Sequence, residues 1–278
     1  MTVIDLARQL LGPDDPPPFR IESFGRRRRA LIVCDHASRR IPQALRNLGV
    51  PESALEKHIA WDIGAEALAR ALAAALEIPA VLAGYSRLVI DCNRHLKDPS
   101  SIVTESDGET VPGNKDLTPA EREARVSSCF WPYHRGIDQA LVELVDGAEV
   151  PALVAIHSFT PKMLGITRPW HCGVLWDRDP RMAVPMLEAL RREPGLVVGD
   201  NEPYSGRHPA DYTVDVHAEN RGWPHVCIEV RQDLIAEAPG VAEWSARLAR
   251  ALEPVLSDRS LYREQHFSDP AQRQEGLL

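Results

Sequence analysis

Short apolar runs alternate with amphipathic stretches along most of this chain. Residues 30–35, Ala30-Leu31-Ile32-Val33-Cys34-Asp35, form an apolar run that stops at a charge, the pattern of a strand buried on both faces. Over residues 65–76 the side chains of Ala65, Leu68, Ala69, Leu72 and Leu76 share one helical face, with Asp62 placed to cap the helix and Pro79 to end it. Further strands are predicted at residues 80–83, 88–91, 152–156, 172–176 and 225–230. Helices are predicted at 181–192 and 241–256. Another begins at Pro119 behind Thr118 and runs through Trp131-Pro132-Tyr133-His134, kinked at the proline. Strands alternating with helices predict an α/β fold, a three-layer αβα sandwich on a mixed, mostly parallel sheet.

Neither a repeat nor a break interrupts this alternation, so one domain over residues 1–278 is expected. Pro13, Pro16, Pro17 and Pro18 mark residues 1–29 as an extended arm that packs on a core it does not found. Residues 257–278 read as a polar surface tail. The polar segment from His95 to about Leu117 is long for a structureless connection, a property of functional lids or of disordered loops.

At 278 residues and 44% hydrophobic content the chain can bury a sizeable core. Its formal charge of -8 and pI near 5.7 argue against nucleic acid or an anionic membrane as partner. The run Arg26-Arg27-Arg28-Arg29 directly precedes the first strand and reads as a solvated turn. Cys34, Cys92, Cys129, Cys172 and Cys227 show no CxxC spacing, and four of them sit in or beside apolar strands, which fits reduced thiols in a cytoplasmic protein. The start, Met1-Thr2-Val3-Ile4-Asp5, lacks the order of a signal peptide. The most apolar stretch, 65–84, is broken by Glu66, Arg70, Glu77 and Pro79 and is no membrane span. Neither GxGxxG nor GxxxxGK[ST] occurs, which weighs against nucleotide chemistry.

Two strands run into histidines, His36 and His157, and so place imidazoles at the carboxyl edge of the sheet, where open α/β folds build their sites. A hydrolytic zinc site takes three protein ligands and keeps one position open. Asp62 is the candidate third ligand, with a plain N-cap as its alternative; Asp35 and Asp91, also at strand ends, are alternative ligands or orienting partners. Glu229 alternates with Val226, Ile228 and Val230 and shares a face with Cys227 and Arg231. Among apolar neighbours its pKa rises toward the range of a general base, unless it forms an internal ion pair with Arg231. Asn93 and Arg94 close a predicted strand and offer a fork for a substrate carboxylate, or a surface ion pair. Arg168 and Tyr204 are further polar contacts or loop structure, and Arg231 or Arg168 is placed for a second carboxylate. His217 is a candidate proton donor or oxyanion contact.

The segments Cys34-Asp35-His36-Ala37-Ser38, Trp61-Asp62-Ile63-Gly64, Ser86-Arg87-Leu88-Val89-Ile90-Asp91-Cys92-Asn93-Arg94, His157-Ser158-Phe159-Thr160-Pro161, Gly199-Asp200-Asn201-Glu202-Pro203-Tyr204-Ser205-Gly206 and Ile228-Glu229-Val230-Arg231-Gln232-Asp233-Leu234 resemble the N-formylglutamate amidohydrolase family, in that family's order, from about Leu31 to about Ile235. The resemblance implies a phosphorylase/hydrolase-like fold akin to zinc exopeptidases. It also implies cleavage of an N-formyl amide to formate and an amino acid. The order of features is similar to zinc carboxypeptidases, in which an asparagine and an arginine hold the substrate carboxylate and a glutamate is the base. Those enzymes take their acidic ligand from HxxE, whereas the third residue after His36 is Arg39. The related zinc-dependent peptidoglycan amidases draw the acid from a following helix, as Asp62 would be. The expectation is therefore an amidohydrolase with Zn2+ or another divalent metal on His36, Asp62 and His157, acting on a small carboxylate-bearing N-acyl amino acid. A carboxypeptidase or peptidoglycan-type amidase, or a metal-free carboxylate-binding protein on the same fold, are the alternatives.

Overall fold

The computed structural model describes residues 10–25, 29–207 and 211–268. Met1–Asp5, the Arg26–Arg28 part of the basic run and the tail from residue 269 lie outside them. Seven strands form the central sheet: β1 (Phe19–Glu22), β2 (Ala30–Cys34), β3 (Ala80–Ala83), β4 (Ala152–Phe159), β5 (Cys172–Leu175), β6 (Val198–Asp200) and β7 (His225–Arg231). Their spatial order is β1-β3-β2-β4-β7-β5-β6. β3, β2, β4 and β7 run parallel; β1 lies antiparallel on β3, and β5 antiparallel on β7 with β6 parallel to β5. The sheet is thus mixed and mostly parallel, as the alternation of elements predicts.

Helices cover both faces. Ile32 of β2, Val154 and Ile156 of β4 and Val226, Ile228 and Val230 of β7 pack beneath α1 (Ala65–Leu76), α4 (Pro180–Arg191) and α6 (Ala238–Ser257). Leu31, Val33, Leu153, Ala155 and Cys227 pack on the opposite face against α3 (Trp131–Val142), beside the short α5 (Tyr212–His217). Every residue of β2 is buried, which explains its unbroken apolar run. All five cysteines are free and buried. Among the described residues no helix is long and apolar enough to cross a membrane.

Several expected elements differ. Residues 88–91 form turns, not a strand: Ser86 Oγ accepts from the Leu88 N–H at 3.1 Å and Ser86 O from that of Val89 at 2.9 Å. Leu88, Val89 and Ile90 fill a separate apolar cluster with Leu48, Val111 and Phe130, so burial on all sides imitates a strand. The N-terminal arm supplies the edge strand β1, whose Phe19 ring occupies the space that Gly136 of α3 leaves open. The helix from Pro119 is α2 (Pro119–Arg125), a π turn over Val126–Phe130, and then α3 with Pro132 in its first turn. The π turn, closed by the Trp131 N–H on Val126 O, lies directly before Pro132, which has no N–H to continue the helical ladder. In the tail, Leu261 and Tyr262 are buried, and Tyr262 Oη donates to Leu256 O at 2.6 Å.

The segment 95–117 has structure of its own: 3-10 turns at Pro99–Ile102 and Pro112–Asn114, and a hairpin of Glu105–Ser106 with Glu109–Thr110. Its anchor is internal. The buried Arg125 guanidinium donates to Asn114 Oδ1 (2.5 Å), Val89 O (3.0 Å) and Gly113 O (2.7 Å), while Asn114 Nδ2 donates to Leu88 O and Val103 O. Polar side chains here satisfy backbone groups that a sheet ladder would otherwise pair.

Candidate metal centre and its cavity

The face of the sheet beneath α3 carries Leu31 and Val33, Leu153 and Ala155, and Cys227. The two-residue alternation continues this face to Asp35, His157 and Glu229 at the strand ends. β4 and β7 pair in parallel with Glu229 opposite His157. His36 follows the end of β2, and its carbonyl accepts the Asp62 N–H at 3.0 Å, which ties the turn before α1 to that strand. Gly64 makes this turn possible. Its φ is +81°, and a Cβ there would stand 2.3 Å from Ile235 O.

Asp62 does not serve α1, whose N-cap is Gly64 with no side-chain bond. Its carboxylate instead turns to the histidines: Oδ2 lies 3.3 Å from His36 Nδ1 and 2.9 Å from His157 Nδ1, and accepts the Ser158 N–H at 3.3 Å. The remaining ring nitrogens are taken from behind. His36 Nε2 donates to Asp91 Oδ1 at 2.7 Å and His157 Nε2 to Asp35 Oδ2 at 3.1 Å. A neutral imidazole has one N–H to give. Spent on Asp91 and Asp35, it leaves both Nδ1 lone pairs directed at one carboxylate oxygen. Three acceptors facing one another call for a cation, and carboxylates behind metal-binding histidines are the usual means of fixing that tautomer.

His36, Asp62 and His157 therefore form a buried cluster that could hold a metal ion, with ligand atoms all within 4.8 Å of one another. Protons compete for the same position. Burial lowers the His157 pKa, but the bonds to Asp35 and Asp62 outweigh it and bring the pKa well above the ordinary value. For His36, burial and Arg87 lower the pKa, and Asp91 and Asp62 carry it upward overall. Burial would raise the Asp62 carboxyl; the two histidines instead hold it far below the usual carboxylate range.

The cluster opens on a cavity of about 490 Å³, a size suited to a small molecule. Glu229 lines it, 7% exposed, and its Oε2 has no hydrogen-bond partner. Burial first, then the charges of Asp62 and Asp211, push its pKa up to about 8 against the opposing pull of His157. Asn93, Arg94 and Tyr204 also line the cavity. Arg94 donates to Asp211 Oδ1 at 2.8 Å, and Asn93 Oδ1 accepts the Thr213 N–H at 3.0 Å. Arg168 stands behind the wall, donating to Tyr204 Oη at 3.0 Å with its guanidinium over the Tyr204 ring.

Arg231 shares the face of Glu229 as the last residue of β7, paired with Phe159. It pairs with Asp233 at 2.8 Å and does not line the cavity, so it is neither the partner of Glu229 nor positioned for a second carboxylate. His217 is also elsewhere, buried between His134 Nδ1 (2.9 Å) and Asp138 Oδ1 (3.0 Å). Conversely, Arg87 lines the cavity without having drawn notice as a site residue. It donates to Asp91 Oδ2 at 2.8 Å and lies 3.6 Å from Asp62 Oδ1. Its place in Ser86-Arg87-Leu88 was the available signal. Asp98, Ser100, Val103 and Ser106 bring the segment 95–117 onto the cavity wall.

The fold is an α/β sandwich with a candidate site at one edge of its sheet, and the sequence sets it among hydrolases. The chain belongs to the N-formylglutamate amidohydrolase family, whose model matches residues 28–236. Enzymes of this family hydrolyse the amide of N-formylglutamate. A gene product of Agrobacterium tumefaciens of known crystal structure is 35% identical, with a TM-score of 0.85 over 89% of this chain and 98% of its own. The N-formylglutamate amidohydrolase of Ralstonia eutropha JMP134 is 20% identical, with a TM-score of 0.63 over 87% of this chain and 97% of its own, a likeness of fold. No protein of curated function matches the sequence.

Proposed function

We propose that this protein is a metal-dependent amidohydrolase that cleaves a small N-formyl or N-acyl amino acid, such as N-formylglutamate, to formate and the free amino acid. The observation that carries the reading is the unpartnered, buried Glu229 carboxylate in the same cavity as the His36, Asp62 and His157 cluster. Two neutral imidazoles and one carboxylate are a donor set suited to Zn2+. When bound, such an ion supplies Lewis acidity to the scissile carbonyl and to the attacking water.

The remaining work falls to the protein. Glu229 accepts a proton from the water as its oxygen joins the carbonyl carbon. It then delivers that proton to the leaving nitrogen as the C–N bond breaks. A pKa raised by burial lets one group perform both transfers. Asn93 and Arg94 hold the substrate carboxylate, with Asp211 yielding its place on Arg94. Tyr204, braced by Arg168, supports the amino-acid side of the substrate. The 95–117 segment shields the cavity from bulk solvent.

The test is formate release from N-formylglutamate by purified protein, with metal content measured on the same sample. Stoichiometric zinc and formate release are expected, and Glu229→Gln is expected to lower kcat by about 10²–10⁴-fold with metal retained. Wild-type turnover in that variant would remove Glu229 from the mechanism. Amino-acid release from peptides without formate release would instead indicate a carboxypeptidase-like substrate.

A further inference from the structure

Behind His157 the hydrogen-bond chain continues one step beyond Asp35. Thr213 Oγ1 donates to Asp35 Oδ1 at 2.6 Å, while Asp35 Oδ2 accepts from His157 Nε2 at 3.1 Å. Thr213 is fully buried and Asp35 is 1% exposed, so neither has water as a substitute partner. The backbone of Thr213 is fixed too, because its N–H donates to Asn93 Oδ1 at 3.0 Å. Thr213 lies 178 residues from Asp35 in sequence, on a short helix that contributes no group to the metal cluster.

We propose that Thr213 is a positioning residue: by holding one oxygen of Asp35 it aims the other at His157 Nε2, and so fixes the imidazole with its Nδ1 lone pair toward the metal position. This rests on the metal-dependent reading above. The physical case is one of degrees of freedom. A carboxylate at the end of a strand can rotate about its Cβ–Cγ bond, and a ring held by one of its oxygens turns with it. A second donor on the other oxygen stops the rotation. The same residue also holds the Asn93 side chain through its backbone, so one rigid unit sets the ligand ring and a wall of the substrate cavity.

The experiment compares Thr213→Val, which keeps the shape and loses the hydroxyl, with Thr213→Ser, which keeps the donor. Zn2+ affinity is measured by competition with a chromophoric chelator, and thermal melting verifies folding. A 10–100-fold weaker Zn2+ affinity is expected for Thr213→Val, the range that loss of an orienting partner produces, with Thr213→Ser close to wild type. Equal affinity in Thr213→Val, or an equal loss in both variants, overturns the proposal. A second readout does not need the metal. In protein labelled with 15N-histidine, the His157 Nε2–H signal is expected to move or broaden in Thr213→Val and to return in Thr213→Ser. If the wild-type protein binds no Zn2+, the metal-dependent reading fails by itself, and the histidine signal alone then decides the role of Thr213: unchanged in Thr213→Val, it is overturned. Should Thr213→Val not fold, Thr213→Ala against Thr213→Ser makes the same comparison.

Discussion

At the scale of single residues, charge compensation organises the site. Asp91 accepts from His36, from the Asn93 N–H and from Arg87, so this buried carboxylate has its oxygens fully engaged. Arg87 is the cationic member, and Asp91 together with Asp62 raises its pKa despite burial. Replacing it with Met, which keeps the stem and removes the charge, leaves Asp91 Oδ2 without a donor. A loss of about 1–3 kcal/mol in urea unfolding is expected, the usual cost of leaving a buried polar group without its partner. An unchanged midpoint would show that the pair contributes no net stability. Alternation within the strands was enough to put His157 and Glu229 on one face, because side chains follow the pleat whatever the surroundings. The engagement of Arg87 and Thr213 was hidden, since each meets its carboxylate only when distant loops fold together.

At the scale of elements, the turn Asp62-Ile63-Gly64 ties the metal cluster to the helical layer. Gly64→Ala would force an alanine to φ near +81° and press its Cβ against Ile235 O. The expected result is a loss of about 1–3 kcal/mol in stability, with a fall in kcat because Asp62 lies two residues upstream. Thermal melting and formate release measure the two effects, and a variant as stable and active as wild type would show that the turn relaxes freely. Elements with one clean period were legible in the sequence: α1, α4, α6 and the central strands β2, β4 and β7 all lie within a few residues of expectation. Residues 88–91 misled because a buried turn and a buried strand share the same apolar run. β1 was missed because prolines dominate its arm and the strand is only four residues long. The ordered 95–117 segment was illegible because a buried arginine, not periodicity, holds it.

At the scale of the whole molecule, buried histidines link stability to pH. Burial, reinforced by the charge of His217, lowers the His134 pKa to about 3 from an ordinary 6.5. Between those values the unfolded chain binds a proton at this position that the folded one refuses, so the contribution of His134 to stability falls as pH drops below about 6.5, opposite in sign to those of His36 and His157. Urea unfolding at pH 7 and pH 5 should show a smaller difference for His134→Gln than for wild type. An identical difference would remove His134 from the acid response.

The pairing of β4 with β7 has an evolutionary corollary. Because Glu229 stands beside His157 across one ladder, inserting or deleting a single residue in either strand would transfer one of them to the opposite face, beneath α1, α4 and α6. Length variation among relatives should therefore collect in the connecting loops and spare these two strands. Comparing insertion tolerance along the gene would expose that contrast directly.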